Sequence, residues 1–144
     1  MIKHATFTLE RDFSAPPAKV FALWADPESK AKWFAGPGAE HELDFREGGT
    51  EIASGVHNGT KLTFEAVYRE IVADERIVCT GVLRADDTVA TVSQTTVQFE
   101  PSDGGTHLVL TEQGAYLDGH EEPEWRQRGI ESQLAALEKL IAER

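Results

Sequence analysis

Residues 122–144 read EPEWRQRGIESQLAALEKLIAER, and within them Trp125, Gly129, Ile130, Leu134, Leu137 and Ile141 recur at steps of four, one, four, three and four. That spacing predicts a helix with one broad apolar stripe and a charged opposite face. Pro123 and the acidic residues beside it suit a helix N-terminus. At about 1.5 Å per residue, a helix of some twenty residues reaches about 30 Å, enough to cross a whole small sheet. A stripe of that length has to be buried against something of similar span.

The rest of the chain supplies a sheet. Phe7, Leu9 and Phe13, with Arg11 on the same parity, predict a first strand with one face turned to a core. SAPPAKVFALWADP (residues 14–27) then changes to helical spacing, with Ser14 as an expected cap and a stop at Asp26-Pro27. PESKAKWF (residues 27–34) reads as a second short helix, ended by the Gly36-Pro37-Gly38 breaker. From about residue 40 to residue 114 strand-like segments alternate with turn signals, among them Asn58-Gly59, Asp86-Asp87 and Asp103-Gly104-Gly105. Connections this short make neighbouring strands antiparallel. The expectation is a single α+β domain over residues 1–144, with a meandering antiparallel sheet curled around the last helix and two short helices closing one end.

Composition bounds the function. The 144 residues suffice for one ordinary core, and neither apolar nor charged content is that of a disordered chain. A formal charge of -11 repels phosphate backbones and anionic lipid, so nucleic acid is a poor partner. Nothing approaches the ~18 apolar residues of a membrane span, and the N-terminus lacks the apolar run of a signal peptide, so a cytoplasmic location is expected. Cys79, the one cysteine, lies between apolar residues and reads as a small buried hydrophobe rather than a reactive thiol.

RDFSAPPAKVFALWADPESKAKWF, DFREGG, YREIVADERIV and GGTHLVLTEQG followed by GIESQLAALEKL together resemble the activator-of-heat-shock-protein-ATPase homologues. These belong to the wider group of START and birch-pollen-allergen-like helix-grip domains, and the match runs through nearly the whole chain in order. The resemblance implies a curved seven-stranded antiparallel sheet gripping the C-terminal helix, with a hydrophobic cavity between them. Many relatives carry Gly-Trp in the last helix where this chain has Gly129-Ile130. Either the cavity is roomier there, or Trp125, one turn earlier, fills part of the space.

With that fold in view, alternation nominates Phe64, Tyr68, Val97, Leu110, Trp125 and Gly129 as cavity-lining residues, with Trp33 and Phe34 at the mouth. Trp33 is expected to plug inward and Phe34, about 100° around the helix, to face the opening. Gly129 costs about 1 kcal/mol in a helix relative to alanine, which close approach of a strand or room for a ligand would explain. Arg11, on the apolar parity, needs a carboxylate partner or an anionic ligand group if it points inward. Glu112 and Gln113, at the end of the last strand, are candidate polar groups near the opening.

Catalytic motifs are absent from the sequence: no metal-binding histidine spacing, no GxSxG, no phosphate loop and no dinucleotide fingerprint. DGHEEPE (residues 118–124) resembles a metal cluster by composition, and an acidic helix start explains it as well. No metal or cofactor is expected. Three functions remain: a carrier of a small hydrophobic or amphipathic molecule; a cochaperone-like module acting on a heat-shock ATPase, with a place in the stress response; and a cyclase-like or dehydratase-like enzyme using Tyr68, Glu112, Arg11 or His107. Relatives often pair, so a homodimer belongs among the expected partners.

Overall fold

The structure, a computed structural model, describes residues 1–36 and 38–143. Pro37, the middle of the glycine-proline-glycine breaker, lies outside the described residues. The chain order is β1 (Ile2–Phe13), α1 (Pro17–Ala25), α2 (Pro27–Phe34), β2 (Glu40–Leu43), β3 (Thr50–His57), β4 (Thr60–Val72), β5 (Arg76–Ala85), β6 (Thr88–Ser102), β7 (Gly105–Leu117) and α3 (Pro123–Ala142). The seven strands form one antiparallel sheet in the order β1-β7-β6-β5-β4-β3-β2. This is the expected α+β helix-grip arrangement.

Turn chemistry sets the register. His57 pairs with Thr60 across a two-residue loop. Asn58 and Gly59 in that loop have φ of 50° and 82°, the left-handed pair that matches strand twist. β1 pairs with β7 along its whole length, from Ile2 opposite Leu117 to Phe13 opposite Thr106. The chain must then cross the sheet to start β2 at the far edge, and α1 and α2 make that crossing. Asp26 both ends α1 and caps α2, its carboxylate accepting from the Ser29 amide at 3.0 Å. Ser14 does not cap α1: the helix starts three residues later behind Pro16, which has no capping side chain.

The grip is filled at one end and hollow at the other. Val20, Phe21, Leu23 and Trp24 of α1 pack with Leu9, Phe13, Phe99 and Leu108 and with Leu134, Leu137 and Ile141 from the C-terminal half of α3. Edge-on ring contacts of Phe21 with Phe99, and of Trp24 with Trp33, lock this end. Near its N-terminus α3 buries Arg126 rather than Trp125, which is 53% exposed. The expected stripe therefore holds from Ile130 onward and turns by one residue before it. Arg126 lies four residues before Ile130, so the same helical row carries a charge where the apolar pattern put an indole.

Candidate functional site

Beneath the N-terminal half of α3 lies a cavity of about 730 Å³. Strands contribute Phe64 and Tyr68 from β4, Val97 from β6, and Leu110 and Glu112 from β7. Trp125 and Gly129 of α3 and Trp33 and Phe34 of α2 complete the expected set, so nine of the residues nominated from the sequence border one hollow. Arg11 does not. It is half-buried in β1, and its guanidinium donates to the Glu10 carbonyl at 2.7 Å, away from the cavity. His107 stands on the outer side of the sheet, between Asp12 and Glu10 at 2.7 and 2.8 Å, and is likewise no part of the cavity.

Glu112 requires a correction. β7 continues to Leu117, so Glu112 lies within the strand rather than at its end, and it is only 2% exposed. Gln113, on the other face, is exposed. Trp33 is 4% exposed, with its indole nitrogen donating to the Leu23 carbonyl at 2.9 Å, while Phe34 is half-buried beside it. A Cβ built on Gly129 would meet nothing within 4 Å. Gly129 is exposed at the border of the cavity, so close approach of a strand does not account for it, and Trp125 leaves the space beside it open.

Two polar clusters border the hollow, and most of their members were not legible as site residues. At the α2 side, Lys30 is 3% exposed and donates to Glu51 at 2.8 Å and to the Tyr68 hydroxyl at 3.2 Å. Tyr68 donates to the same Glu51 oxygen at 2.7 Å, and His41 meets the other at 2.7 Å. The Lys30 ammonium also lies 4.3 Å from the Phe34 ring centroid. Burial opposes charge on Glu51, yet Lys30, His41 and Tyr68 outweigh it and hold its carboxyl down at about 2. The Tyr68 phenol is pushed far above its ordinary value by burial and by Glu51.

At the α3 side, Arg126 is 9% exposed and donates to Glu121 at 2.9 Å, to the Ser93 hydroxyl at 2.9 Å and to Glu112 at 3.3 Å. The Thr95 hydroxyl lies 3.1 and 3.0 Å from the two Glu112 oxygens. Here burial wins: the Glu112 carboxyl is raised, although Arg126 and Thr95 pull the other way. The guanidinium lies over the Phe64 ring, 5.7 Å from its centroid. That ring in turn rests on Gly81, where a Cβ would come within 2.6 Å of it.

Cys79 borders the cavity between the two clusters, and burial pushes its thiol up to about 11. At neutral pH it stays protonated and poorly nucleophilic. The acidic run near residue 120 is dispersed among cations: Asp118 holds the N-terminal ammonium, Glu121 pairs with Arg126, and Glu122 with Lys3. Among the described residues no group of three histidine, cysteine or carboxylate side chains is arranged to hold a metal. Trp24, also at the cavity wall, has a buried indole nitrogen with no hydrogen-bond partner.

Lys30, Glu51 and Arg126 escaped sequence reading because each looks like a solvated charge. Lys30 does sit one turn before Trp33, and Arg126 one turn before Ile130, so both share a row with an inward residue.

A sheet wrapped on a helix, filled at one end and hollow with buried ion pairs at the other, defines a helix-grip domain with a ligand-sized chamber. A model of the family described as Activator of Hsp90 ATPase homolog 1-like protein matches residues 14–142, and the chain belongs to that family. The Mll3558 protein from Rhizobium loti is 36% identical, with a TM-score of 0.90 over 96% of this chain and 98% of that one. A protein from Rhizobium leguminosarum is 38% identical, with a TM-score of 0.95 over 100% of this chain and 98% of that one. Ara h 8.0201, at 16% identity and a TM-score of 0.76 over 99% of this chain and 100% of that one, shares the fold. A search of curated proteins gave no match.

Proposed function

We propose that this protein binds a small hydrophobic or amphipathic molecule between the sheet and α3. The observation that carries the reading is the cavity of about 730 Å³, a size typical of ligand sites, in a molecule whose opposite end is tightly packed. Its wall is mainly aliphatic and aromatic, with a few convergent polar groups, the usual composition of a small-molecule site. Val56 and Trp125, both exposed, stand at the rim and offer an apolar entry. Native mass spectrometry of the purified protein and displacement of a neutral lipophilic dye test it. A bound species or saturable displacement is expected; a protein that carries nothing and releases no dye to any apolar probe overturns the reading.

The family description supports a second reading, a cochaperone-like module that stimulates a heat-shock ATPase through an outer face. Its test is the chaperone ATPase rate, which has to respond to saturating protein if the reading holds.

A further inference from the structure

The charges around the cavity are unevenly committed, and that restricts what it can hold. Its buried cations are Lys30 and Arg126, and each already lies on a carboxylate, Lys30 on Glu51 at 2.8 Å and Arg126 on Glu121 at 2.9 Å. His41 is bound to Glu51 as well. Of the other titratable residues of the wall, Glu40, His57 and Lys61 are exposed, and Tyr68 and Cys79 are neutral groups whose burial disfavours ionisation. An entering carboxylate would therefore find no free interior cation among the described residues, and it would face Glu51, Glu112 and Glu121. Desolvating an anion without a partner is strongly unfavourable.

Glu112 is the wall carboxylate least committed to a cation, with Arg126 at 3.3 Å against 2.8 Å for Lys30 on Glu51 and 2.9 Å for Arg126 on Glu121. A carboxylate has about four lone-pair sites. Thr95 has one hydroxyl hydrogen to share between the two oxygens, Arg126 reaches only to 3.3 Å, and Ser93 adds one further hydrogen bond. Glu112 also ends a polar row. Tyr68 pairs with Cys79, Cys79 with Thr95, and Thr95 with Glu112, so four polar side chains cross the cavity wall side by side on adjacent strands. With strands about 4.8 Å apart the row spans about 14 Å, long enough to take a two-ring or three-ring molecule.

We propose that the cavity takes a neutral molecule, an apolar body carrying a hydroxyl or N–H that donates to Glu112, and rejects carboxylates of the same size. The inference rests on the ligand-binding reading above and adds the chemistry of the ligand. The ligand's apolar body lies along the row under α3, and its donor fills the free lone pair of Glu112.

The test is displacement of Nile red at pH 7 by three probes of one shape: 2-naphthol, 2-methylnaphthalene and 2-naphthoate. 2-Naphthol is expected to bind about tenfold more tightly than 2-methylnaphthalene, with 2-naphthoate the weakest, and to shield Cys79 from a thiol reagent at pH 9. In Glu112→Gln the naphthol preference is expected to fall below about threefold. Equal binding of the first two probes, or naphthoate binding best, overturns the proposal while leaving a ligand cavity standing. A Glu112→Gln variant that folds and keeps the full preference overturns the assignment to Glu112. If none of the probes displaces the dye and Cys79 gains no shielding, both the inference and the ligand-binding reading fall. The wild-type series decides the ligand's charge even if Glu112→Gln does not fold.

Discussion

Glu51 and Glu112 are both glutamates at 2% exposure on one inner surface, and their surroundings drive them in opposite directions. Glu51 answers a buried ammonium, so its charge is part of the fold. Removing one partner of such a pair leaves the other stranded, at a cost of about 3–5 kcal/mol. Glu51→Gln is therefore expected to destabilise the protein by roughly that much at pH 7, measured by urea unfolding. Because the Glu51 carboxyl is depressed to about 2 from an ordinary 4.5, its contribution is fully present above pH 4.5 and is lost as pH falls toward 2. The wild-type and variant stability curves should converge over that window; parallel curves down to pH 2 would sink the assignment. Glu112 works in the reverse sense. Its raised carboxyl costs stability at neutral pH, and that cost is relieved as pH falls through its folded value.

At the scale of the element, α3 is two half-helices with different tasks. Its C-terminal half packs Leu134, Leu137 and Ile141 into the core, whereas its N-terminal half stands over the hollow on Arg126; Gln133, at the middle of the helix, ties it to α2 by donating to the Phe34 carbonyl at 2.9 Å. Gly129 belongs to the N-terminal half and has empty space beside it. Gly129→Ala should therefore raise stability by about 1 kcal/mol through helix propensity alone, without changing dye binding. Gly129→Trp should instead fill the chamber and abolish dye binding while the protein still melts cooperatively. Retained binding in that variant would show that the dye sits elsewhere.

Across the whole molecule, the structure divides into an end filled by the apolar core and an end that holds the cavity. Native-state hydrogen exchange should find the β6-β7 ladder and the C-terminal half of α3 most protected, and α2, the β3-β4 hairpin and the first turns of α3 least protected. A bound molecule should slow exchange mainly in the second group, since those elements carry the rim residues Phe34, Val56 and Trp125. Uniform slowing over the whole sheet would contradict a ligand held at the hollow end.

Apolar periodicity and turn dipeptides in the sequence determined the elements, the meander and the grip, because alternation and left-handed turn residues act over a few neighbours. They also selected the aromatic and aliphatic side of the cavity, Phe64, Tyr68, Val97 and Leu110, since parity alone points these inward. The ion pairs were decided only in three dimensions. Lys30 reaches Glu51 across 21 residues, and Arg126 reaches Ser93 across 33. A charged residue shows its burial only when a distant strand brings the opposite charge, so local sequence reads it as solvated. The same holds for Gly129: the sequence marks a break in a good helix, and only the position of α3 over the sheet turns that break into open space.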